Sequence, residues 1–226
     1  MSNLASSKVK AHTRYVLADG TRVPGVTTIT GRQLGWNKEV LNGWSNRMGL
    51  DGIDTKKYVN DKADIGTLGH ALCTNWLLDQ PTDTSDYTAN QIDTAQNCAL
   101  SFFEWAKGKR IQPILIEVPL VSEIHRYGGT VDIYAEINGV LELCDLKTGG
   151  GLYPEFSVQV AGGYAMLLAE HGHKVERVRI LNIPRGEDES FLEKVVGPEA
   201  REVASAIFLN CLANHRLEKQ LNGRGK

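Results

Sequence analysis

The sequence predicts an α/β domain in which a central mixed β-sheet is flanked by helices, with a mostly helical part at the amino-terminal end. Two observations predict it. Three runs of strand character (113–121, 128–136 and 140–147) follow one another, and the last two meet at Asn138-Gly139, a strong hairpin signal. On either side lie stretches with apolar residues at helical spacing. A chain of 226 residues, 42% apolar and 23% charged, suits a single core. Residues 1–226 are therefore read as one domain: 1–110 mostly helical, 111–196 carrying the sheet and one helix, and 197–226 a closing helix and tail.

Each element has its own justification. Residues 1–31 read as irregular, with a turn at Ala18-Asp19-Gly20 and then the β-branched run Val26–Thr30. Residues 37–49 are expected to be helical, with Val40, Leu41, Trp44 and Met48 on one apolar stripe. That stripe assigns Trp44 to the core. A helix over 60–79 turns Ile65, Leu68, Leu72 and Trp76 inward, and a third over 86–108 ends on Phe102, Phe103 and Trp105. After the strands, a helix runs from Pro154, at a first-turn position, to Glu170, with Gly172 as its stop. Strands at about 175–183 and 190–196 and a helix from Pro198 to about Gln220 complete the chain. No internal repeat appears, which excludes a solenoid.

Composition narrows the function classes. No apolar run is long enough to span a membrane, and MSNLASSKVKAHTR at the start lacks the apolar stretch of a secretory leader. Cys73, Cys98, Cys144 and Cys211 are scattered without a CxxC pair, against a zinc ribbon or disulfide framework and in keeping with a reducing, cytoplasmic setting. A net charge of −2 and a pI near 6.3 do not announce a nucleic-acid binder, although a local basic groove can hide within such a balance. Candidates for such a groove are Lys56, Lys57 and Lys62, Lys107 with Lys109 and Arg110, Lys174 with Arg177 and Arg179, and Arg185. The glycine run after Thr148 lacks the spacing of a phosphate loop, so nucleotide binding is not expected.

The chemistry concentrates between Glu117 and Lys147. Side chains two apart on a strand share a face, so Asp145 and Lys147 project together beside Leu141 and Leu143. By itself D-x-K is also the pattern of a satisfied ion pair at a strand end. The hairpin, however, brings Asp132 toward the same end, and Glu117 interrupts an otherwise apolar neighbouring strand. Three carboxylates and a lysine converging from adjacent strands suit a hard cation such as magnesium or manganese, one ion or two. His70 lies off the apolar stripe of its helix, so packing does not demand it, and a neutral imidazole is a good manganese ligand. Gly66 and Gly69 in the same helix each cost close to 1 kcal/mol relative to alanine. They make sense if that helix must approach something closely.

GGTVD (Gly128–Asp132) followed by ELCDLKTG (Glu142–Gly149) resembles the core of the PD-(D/E)xK nuclease superfamily, within it the RecB-like and phage-type exonuclease branch that includes the mitochondrial genome maintenance exonuclease. RVPGVTTITG (Arg22–Gly31) resembles that branch's amino-terminal segment, with Gly25 where serine is usual. DIGTLGHAL (Asp64–Leu72) resembles its G-x-x-x-H helix, and SVQVAGGYAML (Ser157–Leu167) its Q-x-x-x-Y helix. The likeness spans roughly residues 13–185. One position departs from it: tyrosine should stand four residues after Gln159, where Gly163 is found, and Tyr164 comes one residue later. Tyr164 is left between site and core.

The resemblance implies a restriction-endonuclease-like core and a magnesium- or manganese-dependent deoxyribonuclease leaving 5′-phosphate products. It makes His70, Asp132, Asp145 and the carbonyl of Leu146 metal ligands, with Glu117 supporting a second ion or its water. Lys147 would orient or deprotonate the attacking water, or stabilise charge on the phosphate. Gln159 would bond near the scissile phosphate or the lysine. DNA, as single strands or duplex ends, is the implied partner. The implied setting is phage or prophage recombination or replication in a bacterial cell, with a single-strand annealing protein as a further partner and oligomers allowed. The absence of any sequence-reading module favours an exonuclease that needs a DNA end. The alternatives are a structure-dependent endonuclease and a non-catalytic DNA-binding module on the same fold.

Overall fold

A computed structural model describes residues 13–223. The opening stretch MSNLASSKVKAH, read above as lacking the apolar run of a secretory leader, lies outside them. The chain forms a short hairpin, β1 (Tyr15–Val16) and β2 (Arg22–Val23), then helices α1 (Val26–Gln33), α2 (Lys38–Leu50), α3 (Thr55–Leu77) and α4 (Ala89–Ala106). Three long strands follow, β3 (Ile111–Ser122), β4 (Tyr127–Ile137) and β5 (Val140–Lys147). A helical rod comes next: α5 (Pro154–Ser157), a π-helical segment (Val158–Tyr164) and α6 (Ala165–Glu170). Strands β6 (Arg177–Asn182) and β7 (Leu192–Val196) and helix α7 (Pro198–Leu221) close the fold.

The main sheet has the order β3-β4-β5-β6-β7, parallel only between β5 and β6. The expected α/β arrangement, a mixed sheet flanked by helices with a helical amino-terminal part, is what the chain adopts. The β4–β5 hairpin turns on Asn138 (φ 51°) and Gly139 (φ 85°), both left-handed as an Asn-Gly turn requires. One face of the sheet packs Val131, Tyr134 and Leu143 against α1, the helical rod and α7. The other packs Ile133, Cys144 and Leu146 against Cys73 of α3 and Cys98 and Phe102 of α4. Capping sets the helix starts on that side: Asp54 accepts the Lys56 and Lys57 amides, and Thr88 and Gln91 form a capping box.

Four expectations need correction. Val26–Thr30 is helical, not irregular: Val26 and Ile29 bury against the rod and α7, and Thr30 Oγ1 donates to the Val26 carbonyl at 3.1 Å. Tertiary burial outweighs the weak helix propensity of β-branched residues. The stripe on α2 is not buried, for α2 has no buried residue, and Val40 is 71% exposed. Trp44 is therefore not a core residue. Its ring instead leans on Tyr58 at 5.9 Å. Trp76, expected to face inward, is half-exposed and rests on Phe103 with ring centroids 5.0 Å apart. Finally, the 154–170 helix is not a uniform α-helix, because its middle is π-helical.

No helix among the described residues is long and apolar enough to cross a membrane.

Candidate functional site

The candidate site lies where β4 and β5 part. Their ladder runs from Ile137/Val140 to Ile133/Cys144 and stops there. Beyond it the Asp132 carboxylate replaces the ladder, its Oδ2 accepting the Leu146 amide at 2.9 Å. The carboxylate is thereby held by backbone at the split.

Two further groups converge on Asp132. His70 of α3 brings Nδ1 to 3.5 Å from Asp132 Oδ2. Glu117 of β3 has φ 52°, an unusual left-handed conformation for a non-glycine residue inside a strand. Such strain costs about 1–3 kcal/mol and is found chiefly at functional positions. One donor atom each from His70, Glu117 and Asp132 lies within 4.8 Å of the others. Asp145 lies beside that group rather than within it, its Oδ2 2.6 Å from Lys147 Nζ. That contact is an ion pair without hydrogen-bond alignment, since Asp145 Oδ2 has no hydrogen-bond partner. The Lys147 ammonium also sits 5.1 Å from the Phe156 ring centre. Leu146 offers its amide to Asp132, and the expected role of its carbonyl is not visible in these contacts.

The electrostatics follow from crowding. Burial pushes the Asp145 carboxyl up to about 6 even though Lys147 pulls it down. Burial also raises Asp132, against Lys147 and the Leu146 amide, and raises Glu117 with the help of Asp132 and Asp145. Glu117 stands at the exposed rim, so water screens part of that push. Loss of hydration, then the Lys147 charge, lowers His70 to about 4. The His70–Asp132 approach is therefore one of neutral imidazole to carboxylate. A neutral imidazole and carboxylates that cannot hold their charge cheaply form a donor set that a hard divalent cation satisfies.

Gln159 and Tyr164 are joined by the π-helical segment. Gln159 Nε2 donates to the Tyr164 hydroxyl at 2.9 Å. In a π-helix residues five apart share a face, so the extra residue between them is absorbed by widening the turn. The open turn is anchored: the Tyr127 hydroxyl donates to the Gly163 carbonyl at 2.9 Å. A Cβ on Gly162 would lie 2.6 Å from the Ala204 carbonyl oxygen, so α7 presses directly on that turn. Tyr164 is buried, and its ring passes so near β4 that a Cβ on Gly129 would lie 2.6 Å from it. Burial raises the Tyr164 phenol far up, with Asp145 and Asp132 adding to the shift. Tyr164 thus belongs at once to the core and to the wall of the site.

The sequence pointed to neither Tyr15 nor Thr148. Tyr15 lies along the Gly128–Thr130 edge of β4 and bonds Thr130 Oγ1 at 3.0 Å. Thr148 packs against α3 at Gly66. The signal for both was the glycines opposite, which marked a close approach without saying of what. Several basic candidates are committed elsewhere. Arg177 and Arg179 pair with the fully buried Glu142 at 2.5 and 2.7 Å, and Arg185 pairs with Glu189. Lys62 stands over the Tyr58 ring at 5.4 Å on the α2–α3 side.

No protein-family model matches the chain, and no curated protein matches it. Among solved structures it is similar to a protein from Eubacterium rectale provisionally described as an exonuclease, at 13% identity and a TM-score of 0.48, over 72% of this chain and 69% of that one.

Proposed function

We propose that this chain is a divalent-metal-dependent deoxyribonuclease, an exonuclease that hydrolyses phosphodiester bonds to 5′-phosphate products. The observation that supports this reading is the meeting of His70, Glu117 and Asp132 donors within 4.8 Å, beside the Asp145–Lys147 pair. These residues, with Asp145 and the Leu146 carbonyl, would hold magnesium or manganese. The ion would supply Lewis acidity, acidifying water and neutralising charge that gathers on a phosphate. Lys147, paired with Asp145, would orient the attacking water or stabilise charge on the phosphate as an ammonium, or, as a neutral amine, take a proton from that water. Gln159, whose side chain donates to the Tyr164 hydroxyl, would bond near the scissile phosphate or Lys147. Glu117 would support a second ion or its water.

Selectivity in this reading comes from DNA shape and ends, since no sequence-reading module is recognisable. Exposed Trp36 offers a ring on which a base could stack. A phage or prophage recombination role with an annealing protein as partner is supported by the sequence resemblance alone.

The test compares linear DNA with a covalently closed single-stranded circle at equal manganese. Loss of the linear substrate with the circle intact is expected, and equal loss of both replaces the exonuclease reading with the endonuclease one. Asp132→Asn, Asp145→Asn and Lys147→Ala should each abolish cleavage while melting within a few degrees of wild type. Full activity in any of them overturns the assignment.

A further inference from the structure

We propose that Thr148 is a positioning residue whose side chain, seated in the notch left by Gly66 and Gly69 on α3, sets how far His70 stands from Asp132. The notch is direct. A Cβ on Gly66 would lie 2.6 Å from Thr148 Oγ1, and one on Gly69 would lie 3.8 Å from Thr148 Cγ2. On a helix, residues four apart stack on one face, so Gly66 sits one turn below His70 and points the same way. Thr148 follows Lys147 at the end of β5, two residues beyond Leu146, whose amide the Asp132 carboxylate accepts. The seat therefore ties the helix carrying the imidazole to the strand end that orients the carboxylate.

The notch has a second neighbour on the same face: a Cβ on Gly69 would also lie 3.1 Å from Cys98 Cβ of α4. Thr148 and Cys98 together limit how closely α3 can approach the end of β5. Two glycines inside a 23-residue helix cost about 1 kcal/mol each against alanine. Their presence is explained if depth matters more than helix propensity.

The depth matters because of the bonds His70 would make. Metal–ligand distances hold to within about 0.2 Å. In Gly66→Ala the new methyl would meet Thr148 Oγ1 at 2.6 Å where ordinary contact begins at 3.4 Å, a shortfall of about 0.8 Å. That displacement of α3 exceeds the tolerance several-fold. The same Cβ lies 3.8 Å from Thr148 Cβ, so a second change, Thr148→Ala, removes the clash and leaves ordinary contact.

The consequence for metal rests on reading His70 as a ligand, but the placement of His70 does not, and the experiment separates the two. In metal-free protein labelled at histidine, the His70 ring resonances should move in Gly66→Ala and return toward wild type in Gly66→Ala/Thr148→Ala. Manganese affinity, titrated directly, should fall about 10–100-fold in the single variant and recover to within about threefold in the double. Thr148→Ala alone, which creates no clash, should broaden the His70 signals and weaken manganese a few-fold. A double variant whose His70 signals stay displaced overturns the proposal, as does a Thr148→Ala protein with unchanged His70 signals. Unchanged manganese affinity in His70→Ala would instead refute the metal reading, leaving the ring signals to decide the role of Thr148.

Discussion

Taking metal away should invert the pH dependence of stability, and the sign can be worked from the site. Asp145 is raised from 3.8 to about 6, so its contribution is fully present below pH 3.8 and is lost as pH rises through 6, on the order of 3 kcal/mol. His70 is lowered from 6.5 to about 4, so its contribution is present above 6.5 and is lost as pH falls through 4, again on the order of 3 kcal/mol. Between pH 4 and 6.5 the two oppose each other and nearly cancel. Above 6.5 Glu117 sets the slope: its carboxyl is raised, so stability falls as pH climbs. Because Glu117 is exposed at the rim, we assign it only about 1 kcal/mol after screening, or about 2–4 °C in a chain of this size. Bound manganese needs deprotonated ligands, so its stabilisation grows over the same range, reaching about 2.7 kcal/mol at a hundred times its Kd. Thermal melts from pH 6.5 to 8.5 should therefore slope downward in chelator and upward with manganese, and Glu117→Gln should flatten the chelator curve. Parallel curves with and without manganese would refute the reasoning.

Three other outcomes follow from particular contacts. Glu142→Ala removes a buried carboxylate from Arg177 and Arg179, but Arg177 is partly exposed and Arg179 keeps Glu193, so the cost in a denaturant melt should be about 1–3 kcal/mol, still above that of an exposed pair. Tyr164→Phe removes the partner of Gln159 and should cost about 1 kcal/mol of stability. It should also lower kcat, and an unchanged kcat would make Tyr164 a core residue alone. Trp44→Ala should cost less than about 1 kcal/mol because α2 buries nothing, and a loss of several kcal/mol would contradict the exposed placement of that helix.

How much of this was legible in the sequence depends on what each signal measures. The β4–β5 hairpin was legible because Asn138-Gly139 states a local backbone demand, φ above zero at both residues, that few other pairs meet. Helix α1 was not, because the β-branched run Val26-Thr27-Thr28-Ile29-Thr30 speaks locally against a helix while the burial that overrules it comes from the rod and from α7, far along the chain. The α2 stripe shows the reverse failure. Periodicity declares an apolar face and is silent on whether anything covers it. The same division runs through the candidate site. Asp132, Asp145 and Lys147 could be placed near one another from strand period and hairpin geometry alone. The separation of Asp145, drawn onto Lys147, from the His70–Glu117–Asp132 group could not, since it depends on where β4 and β5 part.

The glycines carry the remaining information, and they carry it incompletely. Gly66 and Gly69 could be recognised as costly within a helix, which implies a close neighbour, but the identity of that neighbour, Thr148, is a fact of tertiary packing. Gly128 and Gly129 likewise leave room for Tyr15 and Tyr164 against β4. In Gly162-Gly163 the effect reaches backbone geometry: with no side chains there, α7 and Val26 of α1 press on the turn. The turn opens into a π-helix, and Tyr164 reaches Gln159 despite standing one residue late. A departure from the expected spacing that looked like a lost contact is thus compensated by two residues whose only chemical property is that they are small.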